Sequence, residues 1–203
     1  MTNPDYTHAV LVVDRSGSMM DTKQDAQGGI NNFIEEQKNG EGRLTLTIIE
    51  FDNQIDTVCD FMPIEEVNSY HLSPRGATAL FDAIGVAINS TGEKLAELPE
   101  EDRPGKVVVT IVTDGYENSS REFNSFAIKD LISHQEEKYS WAFGFLGADL
   151  SSSQGSTINI HNSTSYDSNN TGVAYAAASA ALTRTRASSA PAAASYSLPE
   201  YAE

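Results

Sequence analysis

Two short apolar runs limit what this chain can fold into more than any other feature: Ala9-Val10-Leu11-Val12-Val13 and Val107-Val108-Val109-Thr110-Ile111-Val112. Both are rich in β-branched residues and neither alternates with polar ones. Such runs read as strands buried on both faces, the mark of a parallel sheet covered by helices. Each run ends on an acid in a turn. Asp14 opens Asp14-Arg15-Ser16-Gly17-Ser18, and Asp114-Gly115 follows Thr113.

The segments between them supply the helices that parallel strands require as crossovers. A helix is expected over 23–39, with Ile30, Phe33 and Ile34 at helical spacing and Gly28-Gly29 inside it at a cost of about 1 kcal/mol each relative to Ala. A β-rich segment at 44–51, a turn at Asp52-Asn53 and an alternating segment at 54–61 read as a hairpin, hence one antiparallel edge strand. A loop covers 64–76. The next helix runs from 80 to about 95 on Leu80, Ile84, Ala87, Ile88 and Leu95. After the 106–113 strand, a helix is expected over 122–139 with Phe123, Phe126, Ala127 and Leu131 as its buried stripe. A strand at 141–147, a short helix at 151–157, a short strand at 163–166 and an Ala-rich helix at 172–183 complete the series. The order predicts an α/β fold: a three-layer, doubly wound, mostly parallel sheet with one antiparallel edge strand and helices on both faces. It fills 1–184. The Ala/Ser/Pro-rich segment 185–203 is expected to be a flexible tail. No internal repeat stands out.

Charge and composition exclude several functions. Thirteen basic residues against 29 acidic give a net charge of −16, a surface that repels DNA, RNA and anionic membranes. No segment approaches the roughly 20 consecutive apolar residues of a membrane span. The N-terminal residues carry no basic flank or long apolar stretch, so a cytoplasmic protein is expected. A single cysteine, Cys59, cannot form a disulfide within the chain and reads as a small buried or edge-strand residue.

In a doubly wound sheet, ligands bind at the carboxyl ends of the strands where strand order reverses. The predicted fold brings three loops there. The first offers Asp14, Ser16 and Ser18, the second Thr78 in Gly76-Ala77-Thr78, and the third Asp114. Two carboxylates and three hydroxyls are hard oxygen donors, suited to magnesium (Mg2+) or manganese (Mn2+) rather than to zinc or copper. Neutral hydroxyl ligands would leave the ion electron-poor and ready to take a further carboxylate from outside. Read in isolation, Asp14 and Ser16 are equally good turn residues, Ser18 or Asp21 a helix cap, and Thr78 an N-cap.

These residues resemble the von Willebrand factor A domain family and its metal-ion-dependent adhesion site, whose Asp-x-Ser-x-Ser motif is met by Asp14-Arg15-Ser16-Gly17-Ser18, its threonine by Thr78 and its third-loop aspartate by Asp114. The likeness spans about 6–147 well and 151–182 more loosely, and looks most like small intracellular bacterial or phage members. It implies direct ligation by Ser16 and Ser18, by Thr78 directly or through water, and by Asp14 and Asp114 through water. It also implies a partner protein whose acidic residue completes the shell.

A metal-dependent protein-binding module is therefore the expected function. The alternatives are a structural component of a larger assembly, such as a phage particle, or a Mg2+-dependent phosphoryl-transfer or hydrolytic enzyme. Against the enzyme, no Walker loop, Gly-x-Ser-x-Gly elbow or second paired-carboxylate motif is present, and Ser16 stands where a phosphoryl-accepting Asp14 would want a second acid. Other residues read more plainly: Asp52 as a turn former, Tyr116, Glu117 and Asn118 as the rim of the third loop, and Asp149 as a cap. His8, His71, His134 and His161 have no metal-ligand spacing.

Overall fold

The computed structural model describes residues 2–149 and 153–188. Six strands form one sheet: β1 (Asn3–Asp14), β2 (Arg43–Phe51), β3 (Ile55–Pro63), β4 (Pro104–Thr113), β5 (Ala142–Ala148) and β6 (Ser163–Tyr166), in the order β3-β2-β1-β4-β5-β6. Only β3 runs antiparallel, as the outer strand of the hairpin. The helices are α1 (Lys23–Lys38), α2 (Leu80–Glu97), α3 (Ser125–Tyr139), α4 (Ser153–Thr157) and α5 (Thr171–Ala187).

Side chains alternate across β1 and divide the core in two. Ala9, Leu11 and Val13 pack with Ile30, Phe33 and Ile34 of α1 and with Tyr175 and Leu182 of α5. Val10 and Val12 pack on the other face with Ile84 and Ile88 of α2 and Ile128 and Ile132 of α3. Both apolar runs are thus covered on two sides, which is why neither alternates. The chain turns outward from β1 to β2 and β3, then crosses back to β4. Strand order therefore reverses between β1 and β4, and their register pairs Val13 with Val112. Asp14 and Thr113 consequently leave the sheet side by side.

Two expectations change. The helix expected over 122–139 begins at Ser125, after Asn124 caps it by accepting the Ala127 amide at 3.0 Å. Its buried residues are Ile128 and Ile132, whereas Phe126 is 79% exposed and Phe123 precedes the helix, packing against Gly85 of α2. The stripes 123/126/127/131 and 128/131/132 overlap at Leu131, and aromatic weight favours the wrong one. Phe126→Ala should change stability by less than about 0.5 kcal/mol, while Ile132→Val should cost about 1 kcal/mol. Urea unfolding of the two variants checks the assignment.

The Ala-rich helix also runs to Ala187, past its expected end. Arg186 donates from Nη1 to Gln37 O at 2.7 Å, and from Nη2 to Gly40 O and Gly42 O at 2.9 Å each. The expected flexible tail falls, beyond Ser188, outside the described residues, as do Ser151 and Ser152 of the short helix expected from 151.

His8 is fully buried in β1. Its ring stacks on Phe61 with centroids 3.7 Å apart, and Nδ1 lies 2.9 Å from Thr45 Oγ1. Cys59 is buried in edge strand β3, and burial raises its thiol to about 11.

Candidate metal centre

Three loops meet at the carboxyl ends of β1 and β4. The first turns tightly because Ser16 N–H donates to Asp14 Oδ1 at 2.7 Å. Its Gly17 N–H donates to Gly76 O at 3.2 Å, which ties it to the second loop, and Arg75 N–H donates to Arg15 O at 2.8 Å. Gly76 has φ +69°, and a Cβ there would stand 2.2 Å from Asn53 Oδ1, so glycine is required at this crossing. The second and third loops are joined where Asn118 Oδ1 accepts the Thr78 amide at 2.9 Å and Thr78 O accepts the Asn118 amide at 3.0 Å.

All five residues singled out in the sequence arrive at this junction. Thr113 Oγ1 donates to Asp14 Oδ2 at 2.5 Å, joining the ends of β1 and β4. Ser16 Oγ is 2.9 Å from Ser18 Oγ, which in turn donates to Asp114 Oδ1 at 2.6 Å. Gly115 has no side chain where a Cβ would stand 3.0 Å from Thr78 Oγ1 and 3.6 Å from Asp14 Oδ2. Asp14, Ser16 and Thr78 are buried, and Ser18 is at the mouth.

The electrostatics are unusual. Burial pushes the Asp14 carboxyl up to about 6, against the pull of its bonds from Thr113 and Ser16, and Asp114 adds to the rise. Burial raises Asp114 as well, opposed by Ser18. Neither carboxylate has a basic partner among the described residues. Arg15, between Asp14 and Ser16, points away to Glu50, Asp52 and Asp56. An Asp14 ionised at pH 7 therefore costs the fold about 3 kcal/mol, which a cation at the junction would offset. Hard oxygens, two uncompensated carboxylates and a mouth open at Ser18 fit a divalent ion. Among the described residues no group of three or more His, Cys, Asp or Glu side chains is placed to hold a metal.

Sequence reasoning missed the residues that hold the loops. Asp52, expected as a turn former, does accept the Gln54 amide at 2.6 Å, but it is also wholly buried and accepts Arg15 Nε at 3.0 Å and Arg75 Nε at 2.6 Å. Burial opposes its ionisation, and the bonds from Arg75 and Gln54 with the charge of Arg15 outweigh that, lowering its pKa. Glu117, expected at the rim, instead gathers the amides of Phe81, Ser119 and Ser120. Asp82 accepts those of Arg121, Glu122 and Phe123. Tyr116 is exposed beside the third loop, as expected of a rim residue. Asp149 has φ +48°.

A doubly wound α/β domain with three loops joined at the strand-order reversal is the class defined by this architecture. Comparison with solved structures makes it specific: the chain has the von Willebrand factor A fold. Proximal thread matrix protein 1 from the mussel byssus matches with a TM-score of 0.62 and 14% identity over 89% of this chain and 46% of that one. A von Willebrand factor type A protein from Catenulispora acidiphila matches at 0.60 and 13%, over 87% and 42%. The vWF domain of the pili tip protein Mfa5 from Porphyromonas gingivalis matches at 0.58 and 10%, over 88% and 95%. The chain thus spans less than half the length of the first two proteins. Another structure of the mussel protein carries a zinc-occupied MIDAS motif (16% identity, TM-score 0.55, 80% of this chain and 41% of that one). No protein-family profile and no curated sequence matches the chain. No helix among the described residues is long and apolar enough to cross a membrane.

Proposed function

We propose that this domain is a metal-dependent protein-binding module. A divalent cation is held at the junction by Ser16, Ser18 and Thr78, with Asp14 and Asp114 behind them, and an acidic residue of a partner protein completes its coordination. One observation carries the reading: a buried Asp14 and a partly buried Asp114, neither with a basic partner among the described residues, meet three hydroxyls at an open mouth. The bound ion supplies an electrophilic point for a carboxylate. The chain supplies the cradle and the loop-to-loop bonds that fix it. Binding is favoured over catalysis because both carboxylates are engaged by hydroxyl and amide donors, leaving neither as a general base. The fold neighbours, a thread matrix protein and a pilus tip protein, support an adhesive or assembly role, in which this domain is one binding element of a larger structure.

Thermal unfolding in Mg2+, Mn2+ or Zn2+ against chelator tests the cation. An ion at ten times its Kd should add about 1.4 kcal/mol. Asp14→Asn should abolish that gain while leaving stability in chelator equal or higher, because it keeps the shape and removes the buried charge. Equal midpoints with each ion and with chelator would sink the metal. Partner capture that survives chelation would sink the bridge.

A further inference from the structure

At the far end of the sheet from the Asp14 loop, the carboxyl-terminal turns of α2 and α3 enclose a pocket of about 360 Å³ over the first residues of β4 and β5. Ile88 and Leu95 of α2, Val107 of β4 and Trp141 line it, and volumes of this order hold small organic ligands. Trp141 presents the edge of its ring there, 6% exposed, and one donor at the wall is unspent. Arg103 is fixed by Nε to Leu98 O at 2.9 Å and Nη2 to Ala96 O at 3.1 Å, while among the described residues Nη1 has no acceptor and no carboxylate pairs with the guanidinium. Unpaired guanidinium is unexpected in a chain with 29 acids and 13 bases. Gly92 of α2 also lines the pocket, and nothing lies within 4 Å of where its Cβ would be. A mid-helix glycine costs about 1 kcal/mol relative to alanine, and here its missing side chain keeps the pocket open.

We propose that this pocket binds a compact apolar molecule carrying one carboxylate. The apolar body lies against Leu95 and the Trp141 ring, and the carboxylate takes the Arg103 guanidinium as a charge-assisted pair. Glu93 at the same wall disfavours a second negative charge. The site shares no residue with the Asp14 junction and does not depend on a metal there.

Trp141 is the single tryptophan of the chain, so its emission reports on the pocket directly. Octanoate is the probe, with 1-octanol and octylamine of equal length as comparisons. Octanoate should give a saturable emission change at sub-millimolar to millimolar concentration, octanol a weaker one and octylamine the weakest. Arg103→Gln should weaken octanoate about tenfold or more, to the level of octanol. Gly92→Leu should abolish binding of every probe with circular dichroism and thermal midpoint maintained, since its side chain enters open space. The proposal is overturned by octylamine binding as well as octanoate, by unchanged octanoate affinity in Arg103→Gln, by binding that survives Gly92→Leu, or by no saturable response to octanoate.

Discussion

Asp52→Ala should lower the stability of the domain by about 2–3 kcal/mol, because it leaves the Nε donor of a buried guanidinium without its acceptor and unties two loops. Asp52 is wholly buried and holds Arg15 from the first loop and Arg75 from the second on one oxygen. Arg15 is itself buried, so the variant leaves it with Glu50 and Asp56 alone. The backbone follows the side chain: Arg75 N–H bonds Arg15 O, and Ala79 N–H bonds Asp52 O, one residue from Thr78. The divalent-ion gain in thermal midpoint should fall with stability, although Asp52 is not proposed to touch the ion. Asp52→Asn separates the effects, since it can still accept the Gln54 amide but no longer carries charge. Urea unfolding of both variants, with and without Mg2+, checks this. A loss below about 1 kcal/mol in Asp52→Ala would mean that the loops hold each other without their ionic anchor.

That anchor shows where the sequence stops being readable. Strands buried on both faces leave an unbroken apolar run, so β1 and β4 are plain at Ala9–Val13 and Val107–Val112. Helix α1 is visible to within a residue of Lys23–Lys38 because Ile30, Phe33 and Ile34 mark one face. The five junction residues are legible too, since Asp14, Ser16 and Ser18 are contiguous and Thr78 and Asp114 each sit at a strand–loop or loop–helix boundary. The groups that set the loops are different. Asp82 meets amides 39 to 41 residues away, and Asn118 meets Thr78 across 40. A side chain that satisfies a distant backbone has no periodicity and no local partner, and reads as an ordinary helix or loop acid. Thr113 was in view as the last residue of an apolar strand, but only the β1–β4 register shows that its hydroxyl reaches Asp14. The α3 stripe failed for another reason. Two overlapping faces compete there, and the Asn124 cap, not aromatic content, decides which one turns inward.

Acidification should expose the cost of His8. Burial, helped by the charge of Lys94, pushes its ring down to about 3 in the folded protein, against a bond to Thr45, while the unfolded chain titrates near 6.5. Between those values the unfolded state binds the extra proton. Stability from this residue is therefore complete above about pH 6.5 and is lost as pH falls, by about 1.4 kcal/mol per pH unit. At pH 4.5 the loss reaches roughly 3 kcal/mol. Asp14 works in the opposite direction. Its folded carboxyl titrates near 6 and its unfolded one near 3.8, so the folded state takes up the proton first over that interval and the wild-type profile in chelator is flattened. His8→Phe isolates the histidine. Phenylalanine keeps the stack on Phe61 and cannot take a proton, though it leaves Thr45 Oγ1 with Tyr6 alone. Relative to wild type, the variant should gain about 2–3 kcal/mol between pH 7.5 and pH 4.5, read from urea midpoints at the two values. A difference that does not change with pH would show that His8 takes up its proton inside the fold as readily as in the unfolded chain.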